Sequence, residues 1–176
     1  LQKGTPVVKG FLFMGQRVAD TLQMEWEDFD TARDKKNWLE IPSHKYKTDR
    51  VHRVYITKTV LNLIGEHQER YCSKADTTWC WSGYKSKTKG HISDSQCYAD
   101  WQTLKLDSVR KRSEPDNLQR RDIRRTFYTW IEKTFRYELA GATAGHRRIG
   151  IGRIYGWYEY EDEKMDVMLA WEKYLK

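Results

Sequence analysis

The chain of 176 residues contains no run of about 18 apolar residues, so no membrane-spanning helix is expected. Its opening residues lack the charged segment followed by an apolar one that marks a secretory leader. Cysteine is scarce and odd in number: Cys72, Cys80 and Cys97 are spaced irregularly. That count argues against a disulfide framework and for a reducing cytosolic setting. The three thiols with His91 form no C-x-x-C pair, so a zinc site is not expected. The stretch Gly141 to His146 is not followed by Lys-Ser/Thr, which rejects a phosphate-binding P-loop. Gly150-Ile151-Gly152 is too short for a dinucleotide fingerprint. No metal and no cofactor are expected. Internal repeats and low-complexity linkers are also missing, and the length is that of one domain, or one domain with an appendage. The chain begins at Leu1 rather than Met, and a fragment of a longer protein is expected.

What is present is a core and a charge. The residues are 39% hydrophobic and 14% aromatic with eight Trp, enough for a packed interior and against disorder. Lys and Arg number 32 against 25 Asp and Glu, a formal +7. The charge is uneven: Tyr155 to Lys176 has six acidic and three basic residues, −3, which leaves +10 on the first 154 residues. Three segments concentrate it: His44 to Arg53, Lys105 to Arg125, and Gly145 to Arg153. Such a surface favours a polyanionic partner, because phosphate contacts release counterions. The bland alternative is a soluble basic surface without a partner.

Periodicity gives the elements. Phe11, Met14, Val18 and Leu22 step by three and four, which predicts one amphipathic helix over Lys9 to Leu22. Trp38 to Ile41 and Val51 to Ile56 are short β-rich runs around a polar stretch, an antiparallel hairpin with a basic tip. Thr77 to Trp81 reads as a third strand. Further helices are expected over Lys58 to Arg70, Ser93 to Arg112, Asp122 to Lys133 and Asp162 to Tyr174, with a short small-residue segment over Leu139 to Gly145. The expected class is α+β: mainly helical, with a small antiparallel three-stranded sheet.

Four pieces then stand in a fixed order. Met14-Gly15-Gln16-Arg17-Val18-Ala19-Asp20-Thr21-Leu22 comes first, with Trp26-Glu27-Asp28-Phe29-Asp30 behind it. Next is the basic hairpin tip, where Lys47 lies five residues before His52. Then comes Arg121-Asp122-Ile123-Arg124-Arg125-Thr126-Phe127. Last is Gly145-His146, with Tyr155 nine residues beyond the His. Singly these are weak. Together, in order, they resemble the catalytic domain of the tyrosine recombinase (phage-integrase) family, over about Val7 to Leu175.

The resemblance implies a site-specific recombinase or integrase. A tyrosine hydroxyl attacks a DNA phosphodiester, a covalent 3′-phosphotyrosine forms, and a 5′-hydroxyl leaves, without metal or ATP. It implies that Arg17 and Arg124 hold the non-bridging oxygens, a role two guanidiniums fill bidentately. Lys47 is the implied general acid on the 5′ oxygen, with Lys45 the neighbouring alternative. His146 is implied to donate a hydrogen bond to the phosphate, and Asp20 to support the first Arg. Tyr155 is the implied nucleophile, with Tyr158 and Tyr160 as competitors lacking its spacing from His146. Taken alone, Arg17 would read as a surface ion pair with Asp20 or Glu25. Arg125 follows Arg124 directly, and the family more often gives the second of the pair a structural role.

One position departs from the family. Its second box usually reads H-x-x-R, and here Arg121 stands at the His position. An Arg cannot take up a proton at neutral pH, since its pKa exceeds about 12. General-base help from that position is therefore not expected, while donation to phosphate is. The resemblance implies a functional but altered site. The alternatives are a catalytically silent DNA-binding module on the same scaffold and a type IB topoisomerase. It further implies a double-stranded attachment site as partner, a tetramer on synapsed DNA, a monomer when free, and no membrane. N-terminal DNA-binding domains are expected outside 1–176. A phage or genomic-island origin and a nucleoid-associated cytoplasmic location are what the family implies. The acidic tail from Trp157 onward suits docking either on its own domain or on a neighbouring protomer.

Overall fold

The computed structural model describes residues 5–29, 37–43, 51–71, 78–83, 90–112, 118–146 and 159–176, with the backbone alone for 105–112. The first helix, α1 (Pro6–Met14), begins with proline at its first position, where the missing N–H costs nothing. It ends at Gly15, whose φ of 62° lies in the left-handed region and whose N–H bonds the carbonyl of Phe11. Arg17 then caps a short second helix, α2 (Val18–Leu22). The single helix expected over Lys9 to Leu22 is therefore two helices with a turn at Gly15-Gln16-Arg17. The apolar stripe survives the break: Phe11, Met14 and Leu22 are buried, and Val18 packs against the core. The physical reason for the break is long-range. A Cβ on residue 15 would lie 2.2 Å from the Phe127 ring, so the chain turns where only glycine fits.

A 3₁₀ turn over Trp26–Asp28 leads to β1 (Trp38–Ile41), which pairs antiparallel with β2 (His52–Tyr55). The register sets Trp38 against Tyr55, Leu39 against Val54, Glu40 against Arg53 and Ile41 against His52. Leu39, Ile41, His52 and Val54 point into the protein and Arg53 and Glu40 pair on the other face, the period of two that the sequence carries. The expected third strand is not one. Among the described residues the sheet has two strands, and the segment around Trp79 makes isolated bridges only, Glu25 with Trp79 and Ser82 with His91. The 3₁₀ turn begins immediately after Glu25, so the chain leaves the ladder before a second pair can form. The hairpin tip, including Lys45 and Lys47, lies outside the described residues.

α3 (Lys58–Tyr71) buries Val60, Leu63, Ile64 and His67, the face expected from spacing. α4 (Asp94–Arg112) starts after Ser93, whose hydroxyl accepts from the Gln96 N–H. It sinks Cys97 and Trp101 into the first core. Burial pushes the Cys97 thiol up to about 11, so this cysteine packs as a small apolar group. α5 (Arg120–Thr134) opens with a reciprocal cap between Gln119 and Asp122. α6 (Tyr137–Thr143) and α7 (Glu161–Leu175) complete the order. α1 is central and touches α2, α3, α4, α5 and α7. No helix among the described residues is long and apolar enough to cross a membrane.

Two cores result. One gathers α1, the hairpin, α3 and α4; the other holds Phe127, Ile131, Leu139, Ala140, Val167, Met168 and Trp171 from α5, α6 and α7. α7 docks on its own chain. Trp171 donates its indole N–H to the carbonyl of Leu12 at 2.9 Å, and Thr59 donates to Glu172 at 2.7 Å. Arg53 on β2, already paired with Glu40, also reaches Glu159 and Glu161, so the acidic tail is tied to the hairpin.

Candidate active site

The turn between α1 and α2 sets the first cation. Arg17 has extended backbone angles, and its carbonyl accepts from the Thr21 N–H at 3.0 Å and the Thr21 hydroxyl at 3.2 Å. Its guanidinium stands 3.4 Å from Asp20, one turn along. The Asp20 side chain is only 6% exposed. Burial raises its pKa, while Arg17, and then Arg124, pull it back down. Asp20 therefore lies within reach of both arginines, and burial keeps its pKa raised overall.

The second cation comes from α5. Arg124 is partly buried, and its guanidinium donates to the carbonyl of Ala144, just past the end of α6. This bond ties α5 to the segment that delivers His146. Gly145, at φ 64°, makes the turn, and the His146 N–H bonds back to Gly141 at 2.8 Å. The imidazole of His146 is exposed and stacks on Tyr128 with centroids 5.0 Å apart. Partial desolvation, then Arg124 and Arg17, lower its pKa below the usual 6.5. The neutral imidazole is thus the favoured form at neutral pH.

Arg121 lies one turn before Arg124 on α5 and is exposed. Arg125 is exposed too and pairs with Asp122 at 3.3 Å. Arg17, Arg121 and Arg124 share one cleft of about 580 Å³ between α2, α4 and α5. Its far wall is α4, which contributes Tyr98, Trp101 and Gln102. Arg120 is held in that wall by a bidentate pair with Asp94 at 2.8 and 3.0 Å, and lies 5.2 Å over the Tyr98 ring. It staples α4 to α5 and is already occupied.

Of the residues singled out by sequence, Arg17, Asp20, Arg121, Arg124 and His146 are described: the three arginines line this cleft, while Asp20 and His146 lie within electrostatic reach of Arg17 and Arg124. Lys47 and Tyr155 lie outside the described residues, as do Lys45 and Tyr158. Tyr160 is described: it caps α7 in a left-handed conformation, packs against the second core and carries Arg136 5.6 Å over its ring. Two site neighbours went unnoticed in the sequence, Gln16 and His52. Both are buried polar residues, and they bond each other at 3.1 Å. Gln16 sits between Gly15 and Arg17, and His52 opens the strand after the hairpin tip, where no local signal gives either a role.

His52 is the most strongly perturbed imidazole here. Burial lowers its pKa far below 6.5, and Lys164, Arg124, Arg17 and His146 add to the effect. His67 in α3 is also lowered, by burial. Both have folded-state values below the unfolded one. Their stability contribution is therefore complete above about pH 6.5 and is lost as pH falls, because the unfolded chain binds protons first. Urea unfolding should show lower midpoints at pH 5 than at pH 7.5, with stability falling below pH 6.5 by at most about 1.4 kcal/mol per pH unit for the strongly depressed His52 and by less for His67. A midpoint flat across that window would contradict the neutral, buried state of both rings.

No protein-family model matches the chain, and no curated protein sequence matches it. A solved structure does: the XerH site-specific recombinase bound to difH substrate, in a pre-cleavage complex. The two superpose with a TM-score of 0.57 at 18% identity, over 90% of this chain and 43% of that one. The chain thus spans less than half the length of that recombinase. Its mostly helical fold with a small antiparallel sheet is therefore one that a site-specific recombinase also uses.

Proposed function

We propose that this chain is the catalytic domain of a tyrosine recombinase, which breaks and rejoins DNA through a covalent 3′-phosphotyrosine. The observation that carries the reading is the convergence of Arg17 and Arg124 in one basic cleft, with His146 within electrostatic reach of both. That this cleft stands on a fold shared with a DNA-bound recombinase adds support.

The hydroxyl oxygen of Tyr155 attacks phosphorus and gives its proton to the neutral His146, the bond to the 5′ oxygen breaks, and Lys47 gives that oxygen a proton. The phosphorane carries extra negative charge on its non-bridging oxygens. Arg17 and Arg124 meet it with fixed guanidiniums, which need no reorganisation as the charge grows. Asp20 holds Arg17 in place. His146 donates a hydrogen bond to the phosphate, and held neutral it can also accept a proton. Arg121 adds positive charge but cannot act as a base. The phosphotyrosine keeps the energy of the phosphodiester, so attack by a 5′-hydroxyl reseals the strand without ATP.

The whole protein is proposed to carry N-terminal DNA-binding domains and to recombine as a tetramer on synapsed duplex. Alone, the chain should bind DNA weakly, with an affinity that falls steeply as salt rises.

A nicked suicide substrate tests the reading. Wild-type protein should form an adduct that survives SDS, and Tyr155→Phe should form none while shifting DNA equally in a gel. Wild-type protein that shifts DNA yet never forms an adduct would be a binding module on this scaffold, a reading that Arg121 in place of the usual His favours. Relaxation of supercoiled plasmid without sequence preference would favour a topoisomerase instead.

A further inference from the structure

We infer that Gln16 and His52 are a buried positioning pair that locks the Arg17 turn to the hairpin and to the end of α6. The inference rests on the recombinase reading, which gives Arg17, Lys47 and His146 their roles. Gln16 is 3% exposed and His52 5%. A buried amide is costly unless its donors and acceptor are all met. Those of Gln16 are met by three different elements. Its amide nitrogen donates to the carbonyl of Met14 at 3.2 Å, the last residue of α1. It also donates to the carbonyl of Thr143 at 3.1 Å, the last residue of α6. Its oxygen lies 3.1 Å from Nε2 of His52, the first residue of β2.

The chemistry of the pair is then fixed. Both amide hydrogens go to carbonyls, so the amide cannot flip without setting oxygen against oxygen. Its oxygen can only accept, and His52 must donate from Nε2. The charged groups that lower the His52 pKa are, among the described residues, Lys164 on α7, Arg124 on α5, Arg17 at the turn and His146 beyond α6, all cations or potential cations. On its own strand, Arg53 is already paired with Glu40, Glu159 and Glu161. The ring is therefore held neutral, with its proton directed at Gln16.

Each end of the knot is one short step from a site group. Arg17 directly follows Gln16, His146 lies three residues after Thr143, and Lys47 five before His52. An apolar pair would fill the same space without fixing these directions. Gln16 lines the cleft beside Arg17, but its polar atoms are taken up by Met14, Thr143 and His52, so the pair acts through Arg17, His146 and the hairpin.

The experiment compares wild type, Gln16→Met and His52→Gln as full chains. With the suicide substrate at saturating protein, Gln16→Met should form adduct about 10- to 100-fold more slowly, the scale of a small misplacement. Its DNA affinity should stay within about twofold, since the phosphate-contacting cations remain. His52→Gln keeps an N–H donor and should recover most of the rate. Nitrogen-15 spectra of the wild-type imidazoles should place the His52 proton on Nε2, and the His146 ring signals should move in Gln16→Met. A folded Gln16→Met that cleaves at the wild-type rate, or loses affinity and rate in parallel, overturns the pair. Wild type that forms no adduct sinks the recombinase reading, and the spectra then decide. A His52 proton on Nδ1, or His146 signals unmoved in Gln16→Met, overturns the pair. Should Gln16→Met not fold, the wild-type His52 tautomer and the rate of His52→Gln decide in the same way.

Discussion

Arg124→Ala should slow covalent adduct formation about 10²- to 10³-fold, the loss seen when one preorganised donor to a developing oxyanion is removed. Arg124 is on the half-buried face of α5, its guanidinium is oriented by the Ala144 carbonyl, and its charge reaches Asp20, His52 and His146. A cation so fixed stabilises charge that appears only in the transition state, so the rate should fall far more than DNA affinity does. Arg124→Lys keeps the charge but loses the planar fork, and should lie nearer to Ala than to wild type. A second readout follows from the same placement. Because Arg124 helps to lower the pKa of His146, its removal should move the His146 titration upward toward the ordinary 6.5, followed by NMR. An Arg124→Ala protein that cleaves within about threefold of wild type would remove this residue from the site, since even a weak oxyanion donor is worth more.

The parts of the candidate site legible in the sequence were those whose signal is local or ordered along the chain. Arg17 and Asp20 share one turn of helix, Arg121 and Arg124 share another, and the box order pointed to all four. Helix faces were legible for the same reason: Val60, Leu63, Ile64 and His67 repeat at the period that buries them. What could not be read depends on partners distant in sequence. The Gln16 amide is bonded to a carbonyl 127 positions away and to an imidazole 36 positions away. No window along the chain contains both ends. The same holds for the cleft wall, since Tyr98 and Trp101 meet Arg17 and Arg124 only through the packing of α4. The third strand failed for another reason. Thr77 to Trp81 has strand-like composition, but its partner segment turns away after Glu25, and composition carries no information about the partner.

The helix break at Gly15 is the point where fold and site meet, and Gly15→Ala tests both. Alanine there meets two obstacles. The backbone angle of +62° costs a non-glycine residue about 1–2 kcal/mol. The new methyl would also stand 2.2 and 2.3 Å from two ring carbons of Phe127. That ring has no room to retreat: Phe127 is fully buried and packs against Trp171 with centroids 5.2 Å apart. Overpacking of this kind costs about 1–3 kcal/mol more. The sum, about 2–5 kcal/mol, should lower Tm by roughly 5–15 °C in a chain of this size. The two obstacles can be separated. Phe127→Leu removes the ring edge but not the backbone strain, so the double variant should be less destabilised than the two single effects added together, by about 0.5–3 kcal/mol. Function should track position rather than stability alone. Arg17 lies two residues past the turn, so Gly15→Ala should lose adduct rate beyond the fraction of chain unfolded at 25 °C. A Gly15→Ala protein melting within about 2 °C of wild type would mean that the turn tolerates a side chain, because even the smaller of the two costs predicts more. In that case Phe127 would not be what divides α1 from α2.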